Sequence, residues 1–398
     1  MIANVLVHTI EPCWLTPEQY EKSTRYEHQY ARIIFEDFGL PVVHYYLTEG
    51  REVIRHRHMW GYPMVGCPAS FLTRLPRSLW AGHPFHRSLS LAMLRELRKE
   101  SELEALHIHA YHLLQHDLMA LYFRDKIIIS HDHGDPGYVS WLRPLRLLKP
   151  FVLKNFSDAV IVQSSWEMNR PLLRGVSVEK MALIFPGADR EIFRKIDKAE
   201  ARRKLGLRAE AFYVIFVGSL LHRKGVDVLL KAWKLVLERK PHPRLHLLLA
   251  GQGRQEAEYR ALAGKLNLNE SVSFVGFVEH DSLPFYLNAA DLFVAPSRAE
   301  PLGKMNIEAM MCGLPVISTD DGGTPDIIES GETGLLIPSG DVESLAEAML
   351  ALIGDEAQRA CLAWKAYLRA QANYGWDKSA SKLRKVYERL GLLRPSEN

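Results

Sequence analysis

The stretch Ser297–Pro315, SRAEPLGKMNIEAMMCGLP, carries two glutamates on either side of a Pro-Leu-Gly turn that opens an apolar helix. A helix begun near Gly303 places Glu308 one to two turns in, while Glu300 lies in the loop before it, so both carboxylates can border one pocket. The helix N-terminus favours a phosphate there. Carboxylates that bind sugar hydroxyls, next to backbone amides that bind phosphate, are typical of a nucleotide-sugar site. The alternative is a solvent-exposed helix start preceded by an acidic loop, which has the same sequence pattern.

Composition restricts the class of protein. The chain has 398 residues, which suits two domains, and a formal net charge of +3, which is that of a soluble globular enzyme and argues against a nucleic-acid binder. The four cysteines form no C-x-x-C pair, which argues against a disulfide framework or a thiolate metal site: Cys13, Cys67, Cys312 and Cys361. With no signal peptide and no apolar run of about 18 residues, a cytoplasmic location is expected.

Apolar runs rich in Val and Ile alternate with segments of helical period, which predicts an α/β protein with parallel sheets covered by helices. Strands are predicted at about 3–8, 41–47, 104–109, 126–131, 159–163, 181–185, 212–217, 244–250, 272–275, 291–295 and 315–318. Helices in the first half are predicted near 18–38, 88–100, 112–123, 139–156 and 165–174. The rhythm breaks near 186–198, so two doubly wound units are expected, with the active site in the cleft between them.

Two basic, aromatic segments fit this pattern less well. Residues 50–88 hold prolines, glycines and an excess of Arg over acid, and are interpreted either as an irregular insertion or as an acceptor-contacting surface at a membrane. In residues 139–156, apolar side chains recur at helical spacing: Trp141, Leu145, Leu148 and Val152. This stripe is expected to face the core, the alternative being a peripheral anchor on anionic lipid at the inner face of the membrane.

The glutamate run resembles the E-x7-E signature of retaining glycosyltransferases of the GT4 class. The resemblance continues in register through FVGSLLHRKGVDVLLKAW at 216–233, LLLAGQGR at 247–254, FVGFV at 274–278, ADLFVAPSRAE at 290–300, GLPVISTDDGGTPDII at 313–328 and GETGLLIPSGD at 331–341. Several motifs in the expected order are far more specific than one. The resemblance implies a GT-B fold: a Rossmann-like acceptor domain at 1–190, a Rossmann-like donor domain at 191–375, and a closing helix at 376–398 that crosses back.

The resemblance also implies roles for four residues. Lys224 matches the lysine that binds the diphosphate, and Glu308 matches the glutamate that accepts hydrogen bonds from the ribose hydroxyls. Glu300 matches the glutamate beside the transferred sugar ring. His133, in SHDHG, resembles the histidine that reaches the C6 hydroxyl of the sugar and the reaction centre.

Further donor contacts are implied with some departures from the family. Many relatives carry arginine directly after Gly218, where this chain has Ser219, so either Arg223 supplies a second cation or one lysine and backbone amides hold the leaving group. The usual Phe-Gly-Leu run is replaced by Leu302, Gly303, Lys304 and Met305. The walls of the nucleobase pocket are expected to be Gly251, Phe277 and Val278. On the acceptor side, the loop that relatives fill with a glycine pair reads TIEPCWLTPEQYEKS, and the implied contacts are Cys13, Trp14 and His109.

The expected activity is transfer of a hexose from a nucleotide diphosphate sugar, with UDP favoured over GDP, to a hydroxyl of a sugar, lipid-linked glycan or small molecule. The anomeric configuration is retained, and the nucleotide sugar is a co-substrate with no metal or other cofactor. The main alternative is a metal-dependent hydrolase, because histidines cluster at metal-compatible spacing: His107, His109, His112, His131 and His133. A GT-B nucleotide-sugar epimerase and a non-catalytic scaffold are further alternatives.

Overall fold

The computed structural model describes residues 2–6, 26–48, 52–68, 90–109, 114–132, 148–170, 173–240 and 244–395. The chain divides into two compact units, an N-terminal unit of Met1–Phe185 with Asp377–Asn398 and a C-terminal unit of Pro186–Trp376. Some residues singled out above lie outside the described part: Cys13, Trp14, His112, His133, Trp141 and Leu145. Of the helices within the described ranges, none combines the length and apolar character needed to cross a membrane.

The N-terminal unit is built on an eight-stranded sheet of order β3-β4-β2-β1-β5-β6-β7-β8, parallel except for the β3–β4 pair. Its strands are β1 Ile2–Leu6, β2 Val42–Thr48, β3 Ile54–Arg57, β4 Pro63–Pro68, β5 Ala105–His109, β6 Ile127–His131, β7 Ala159–Val162 and β8 Met181–Leu183. Its helices are α1 Tyr26–Arg32, which continues as a π-helical turn to Asp37, α2 Leu91–Leu97, α3 Leu114–Tyr122, α4 Leu148–Phe156 and α5 Ser165–Met168.

Part of the segment predicted as an irregular insertion is sheet. Residues 54–57 and 63–68 form β3 and β4, and β4 pairs in parallel with β2. The prolines stand at the two ends of β4, where a missing N–H costs little, and β3 is a short edge strand whose Arg55 reaches Glu96 at 2.5 Å. The insertion prediction was therefore wrong for these ten positions, because β3 is a short, charge-rich edge strand without apolar alternation and β4 has a proline at each end.

The two faces of this sheet differ in chemistry. One face carries an apolar core in which Leu106 and Ile108 of β5 pack with side chains of α2, α3 and α4. The alternate residues His107 and His109 are buried on the other face, as the two-residue period of a strand requires. Two residues of the predicted core stripe lie in the described α4: Val152 is buried as predicted, whereas Leu148 is 55% exposed.

The C-terminal unit is built on a six-stranded, fully parallel sheet of order β11-β10-β9-β12-β13-β14. Its strands are β9 Phe212–Val217, β10 Leu245–Ala250, β11 Val272–Gly276, β12 Leu292–Ala295, β13 Val316–Thr319 and β14 Leu335–Ile337. Its helices are α6 Lys198–Leu205, α7 Val226–Arg239, α8 Glu256–Lys265, α9 Leu283–Ala289, α10 Lys304–Met311, α11 Thr324–Ile327, α12 Val342–Gly354 and α13 Glu356–Asn373. Strands and helices alternate as predicted, and β14 was not predicted.

A last helix, α14 Trp376–Arg389, belongs to the N-terminal unit from Asp377 onward. Its Ser379 Oγ donates to Phe185 O at 2.7 Å, and Arg384 Nη2 donates to Asp37 O at 3.1 Å. Tyr387 is fully buried, with its hydroxyl 2.9 Å from His107 Nδ1. This helix therefore packs against residues between positions 37 and 185 of the N-terminal unit, although it follows the C-terminal unit in sequence.

Candidate active site

The loop that carries Glu300 is held between two glycine turns. Gly225 follows the turn after β9 at φ +68°, and a Cβ built on it would lie 1.8 Å from Pro296 O. Gly322, at φ +64°, would place a Cβ 1.8 Å from Glu300 O. Only glycine combines these angles with so close an approach of two backbones. The two turns thus fix the path of residues 296–300 from both sides.

Hydrogen bonds fix the same loop. The Gly323 N–H donates to Glu300 O at 2.9 Å, and the Ala299 N–H donates to Asp321 Oδ2 at 2.6 Å. On the other side, the Arg298 N–H donates to Arg223 O at 2.6 Å. Because the main chain on both sides of Glu300 is tied down, its carboxylate is positioned before any substrate arrives.

Lys224 and Glu300 form an ion pair between Lys224 Nζ and Glu300 Oε2. The two side chains are only 17% and 13% exposed, so solvent screens the pair weakly. Burial alone would raise the pKa of Glu300, but the Lys224 ammonium, helped by Arg223, holds that pKa below its usual value. Glu300 is therefore ionised near neutral pH. The structure brings together the two residues that the sequence assigned to the reacting end of the donor.

Glu308 lies in the second turn of α10, and its side chain is 3% exposed. Lys304 Nζ, at the first position of the same helix, lies 3.3 Å from Glu308 Oε1. Gly303 precedes them at φ +85° and serves as the N-cap, which leaves the first N–H groups of the helix without a side-chain cap. A buried carboxylate and an uncapped helix N-terminus therefore lie side by side, as the spacing of the glutamates predicts.

The remaining predicted donor contacts differ in exposure. Phe277 follows β11 and is 63% exposed, so its ring is open to contact a base, and Val278 is half-buried. The turns after these strands are joined in order: the Gly218 N–H after β9 donates to Ala250 O of β10 at 3.0 Å, and the Gly251 N–H after β10 donates to Gly276 O of β11 at 2.7 Å. Ser219 and Met305 are half-buried. Leu302 is 4% exposed, so it offers a ligand its backbone rather than its side chain.

Sequence reasoning missed the pair formed by Arg298 and Asp227. The guanidinium donates to both carboxylate oxygens of Asp227 at 2.8 Å and to His222 O at 2.8 Å. Burial alone would raise the pKa of Asp227, but the Arg298 fork lowers it below its usual value. The pair joins the β9 turn to the Glu300 loop. The only sign of this pair in the sequence was an arginine two positions before Glu300. That sign is weak, because surface arginines are common.

In the N-terminal unit, the described members of the two predicted histidine clusters lie together. His107, His109 and His131 are fully buried, and one potential ligand nitrogen from each lies within 4.8 Å of the others. His107 Nε2 is 3.0 Å from His131 Nδ1, and His107 Nδ1 is 2.9 Å from the Tyr387 hydroxyl. Burial lowers the pKa of His107 to about 3, so the ring is neutral. Neutral imidazoles can satisfy one another in this way without an ion.

Comparison with known proteins agrees with this geometry. Residues 197–369 match the family model of glycosyl transferases group 1. D-inositol 3-phosphate glycosyltransferase 1 of Catenulispora acidiphila is 30% identical over 298 residues, 70% of this chain and 71% of that protein. The GDP-mannose-dependent monoacylated alpha-(1-6)-phosphatidylinositol monomannoside mannosyltransferase of Corynebacterium glutamicum is 29% identical over 251 residues, 61% of each chain. Other relatives match over about half of their length, as in Thermobispora bispora with 50%.

Among solved structures, the chain is similar to sucrose-phosphate synthase of Thermosynechococcus elongatus, with a TM-score of 0.77, 24% identity, and coverage of 98% of this chain and 99% of that one. It is also similar to Anabaena HepE in complex with UDP-glucose, with a TM-score of 0.73, 20% identity, and coverage of 99% and 100%. At these identities the likeness shows the fold alone, which is the GT-B fold. Together with the relatives, it shows that the chain belongs to the glycosyl transferases group 1 family, the GT4 class. The resemblance seen in the sequence is confirmed.

Proposed function

We propose that this protein is a retaining glycosyltransferase that moves a hexose from a nucleoside diphosphate sugar to a hydroxyl acceptor. The carrying observation is the Lys224–Glu300 ion pair on a loop whose backbone is fixed on both sides, in the same unit as the buried Glu308 at the start of α10. In this proposal Glu308 accepts from the ribose hydroxyls, and the N–H groups that begin α10 bind the diphosphate. The sugar ring lies beside Glu300.

The transfer breaks the bond between the anomeric carbon and the diphosphate oxygen, and negative charge grows on that oxygen. Lys224 and the amides at the start of α10 meet this charge from fixed positions. Positive charge develops on the sugar ring, and the ionised Glu300 favours it. The acceptor hydroxyl attacks from the face that the diphosphate leaves, and its proton passes to a leaving phosphate oxygen. The products are the glycoside with retained configuration and the nucleoside diphosphate.

The donor is proposed to be a UDP-hexose. The fold relative HepE binds UDP-glucose, whereas the Corynebacterium glutamicum relative is named for GDP-mannose, so both carriers belong in the test. Because a lysine supplies the cationic charge at the leaving group, we propose that transfer needs no bound metal.

The test is a donor screen in EDTA that records released UDP or GDP, with and without pools of glycan, glycolipid and inositol phosphate acceptors. We expect acceptor-dependent release from one nucleotide sugar, and NMR of the product should show the donor's anomeric configuration. Inverted product would overturn retention. Loss of all activity in EDTA with recovery on added Zn²⁺ would favour the metal-dependent hydrolase, and failure to bind either nucleotide would overturn the proposal.

A peripheral contact with anionic lipid is also proposed, on the outer side of α2, α3 and α4. In the described residues of these helices, the exposed side chains are apolar, aromatic, cationic or amide, and none is acidic: Leu91, Arg95, Leu121, Tyr122, Leu148, Phe151, Lys154 and Asn155. Arg98 donates to the Tyr122 hydroxyl at 2.8 Å, and Lys149 pairs with Asp117, which joins the three helices. Apolar side chains among cations complement an anionic bilayer surface.

Vesicle sedimentation tests this contact with phosphatidylglycerol against phosphatidylcholine. We expect binding to the anionic vesicles only, weakened by salt and lost in a Leu148→Ser, Phe151→Ser double variant. Val178→Ser, at an apolar side chain of the same unit that is 74% exposed, is the control and should bind as the wild type does. Binding that is equal on both lipids, absent, or unchanged in the double variant would contradict the lipid contact.

A further inference from the structure

The cations of the candidate site are distributed unequally. The resemblance seen in the sequence implies an arginine directly after Gly218, but this chain has Ser219 there, so the β9 turn lacks that cation. Arg298 is already paired within the protein, since its guanidinium donates to both carboxylate oxygens of Asp227 and to the carbonyl of His222.

Of the cations that remain in the β9 turn, Lys224 is paired with Glu300, and Arg223 acts on the same carboxylate. A diphosphate that carries more than one negative charge can therefore be met by a further cation.

Lys304 stands where its charge is locally unfavourable. It is the first residue of α10, and a cation at a helix N-terminus opposes the positive end of the dipole. Its pairing with Glu308 also runs in the weaker order, with the lysine four residues before the acid. A residue that conflicts with its local surroundings in this way points to a functional requirement.

The geometry gives Lys304 a nearby anion site. The N–H groups that begin α10 carry no side-chain cap, and the side chain of Lys304 is 32% exposed, so it can turn from Glu308 toward an anion at that end. Glu308 can release the lysine when hydroxyl donors replace it, because a carboxylate accepts from either. The glutamate thus holds the lysine ready beside the place where a phosphate would bind.

We propose that Lys304 is the second diphosphate-binding cation of this enzyme and takes the place of the arginine missing at position 219. This inference rests on the proposed function, because it needs the diphosphate at the start of α10. Binding of the nucleoside diphosphate exchanges the Lys304–Glu308 pair for a Lys304–phosphate contact and a ribose–Glu308 contact. On this proposal Lys304 supplies the second cation, so Arg223→Ala should weaken diphosphate binding less than Lys304→Met does.

The test compares the affinities of nucleosides and nucleoside diphosphates by calorimetry. Lys304→Met should weaken binding of UDP, or of GDP if that is the carrier, about tenfold, and should leave the matching nucleoside unchanged or bound more tightly. Lys304→Arg should restore most of the diphosphate affinity. Lys234 is the matched control, because it pairs with Glu238 at the same four-residue spacing and the same 3.3 Å, on α7, and Lys234→Met should change nothing.

Two outcomes would overturn the inference. If Lys304→Met changes nucleoside and diphosphate affinity by the same factor, the lysine only neutralises Glu308. If it changes neither while Lys224→Met and Glu308→Gln both weaken the diphosphate, the proposed function stands and Lys304 has no part in it. If none of the three changes affects nucleotide binding, the proposed function itself fails.

Discussion

The two units of this protein use polar side chains in opposite ways. In the C-terminal unit, charged groups follow the ends of parallel strands and pair there while partly exposed, as Lys224 does with Glu300. In the N-terminal unit, histidine and tyrosine rings are buried together. His28 stacks on His44 and His58 at centroid distances of 4.6 and 4.7 Å, and His107 lies between His131 and Tyr387. The first arrangement is suited to binding charge, and the second makes stability depend on pH.

The largest effect should come from breaking the pair in the C-terminal unit. Lys224→Met removes a fixed cation from the leaving group, and we expect kcat/KM to fall roughly 100- to 1000-fold. The unfolding free energy should also fall, because Glu300 is left as a largely buried carboxylate without its cation. Arg223→Ala should cost less than about threefold, since Arg223 acts on Glu300 only from a distance. Steady-state kinetics and urea unfolding measure both. Equal losses of kcat/KM in the two variants would show that the Lys224–Glu300 pair contributes no more to catalysis than the nearby Arg223 cation.

The close packing at the Gly225 turn can be tested by comparing alanine substitutions at two glycines of the same unit that have nearly equal φ. Gly225→Ala forces a Cβ to within 1.8 Å of Pro296 O, and we expect a loss of about 3 kcal/mol in unfolding free energy, together with loss of activity. Gly206 has φ +66° and nothing within 4 Å of a built Cβ, so Gly206→Ala should cost only about 1–2 kcal/mol. Equal costs in urea unfolding would mean that the Glu300 loop is not pinned.

The buried imidazoles of the other unit should respond to pH. Because burial lowers the pKa of His107 to about 3, the unfolded chain gains a proton near pH 6.5 while the folded chain does not. Stability from this group is therefore complete above pH 6.5 and is lost as the pH falls toward 3, by about 2 kcal/mol between pH 6.5 and 5. Urea unfolding of wild type and His107→Asn checks this. Parallel pH profiles would refute it.

The smallest effect concerns the hydroxyl that closes this cluster. Tyr387→Phe removes the partner of His107 Nδ1, and we expect a loss of about 1 kcal/mol. Combined with His107→Asn, it should be non-additive, because both changes remove one contact. The control is Tyr367→Phe, at a half-buried tyrosine of α13, which should leave the unfolding free energy nearly unchanged. If the losses of unfolding free energy are additive in the double variant, the Tyr387 hydroxyl does not act through His107.

The sequence revealed much of the C-terminal unit because its site is encoded locally. Glu300 and Glu308 are separated by a turn and a helix start, so their spacing alone places them near one pocket. Gly225 and Lys224 likewise follow directly from a strand whose apolar run is easily recognised. β14 was missed because three residues, Leu335–Ile337, give too short an apolar run to separate from a loop.

The N-terminal unit was harder to predict because its polar contacts depend on strand register. His109 lies opposite His131 only because β5 and β6 align in that register, which spacing within either strand does not determine. The contact of His107 with Tyr387 joins residues 280 positions apart. The exposure of Leu148 could not be read from its periodicity, since an apolar stripe on a helix indicates a face but not what covers it.

The long-range contact made by α14 has a consequence for synthesis. A ribosome makes the strands of the N-terminal unit before the C-terminal unit, yet Tyr387 and Ser379, which complete the packing against His107 and Phe185, are made only after it. The N-terminal unit therefore remains incompletely packed while the whole C-terminal unit is translated. Chaperone dependence and early proteolytic sensitivity should consequently concentrate in the half that is made first.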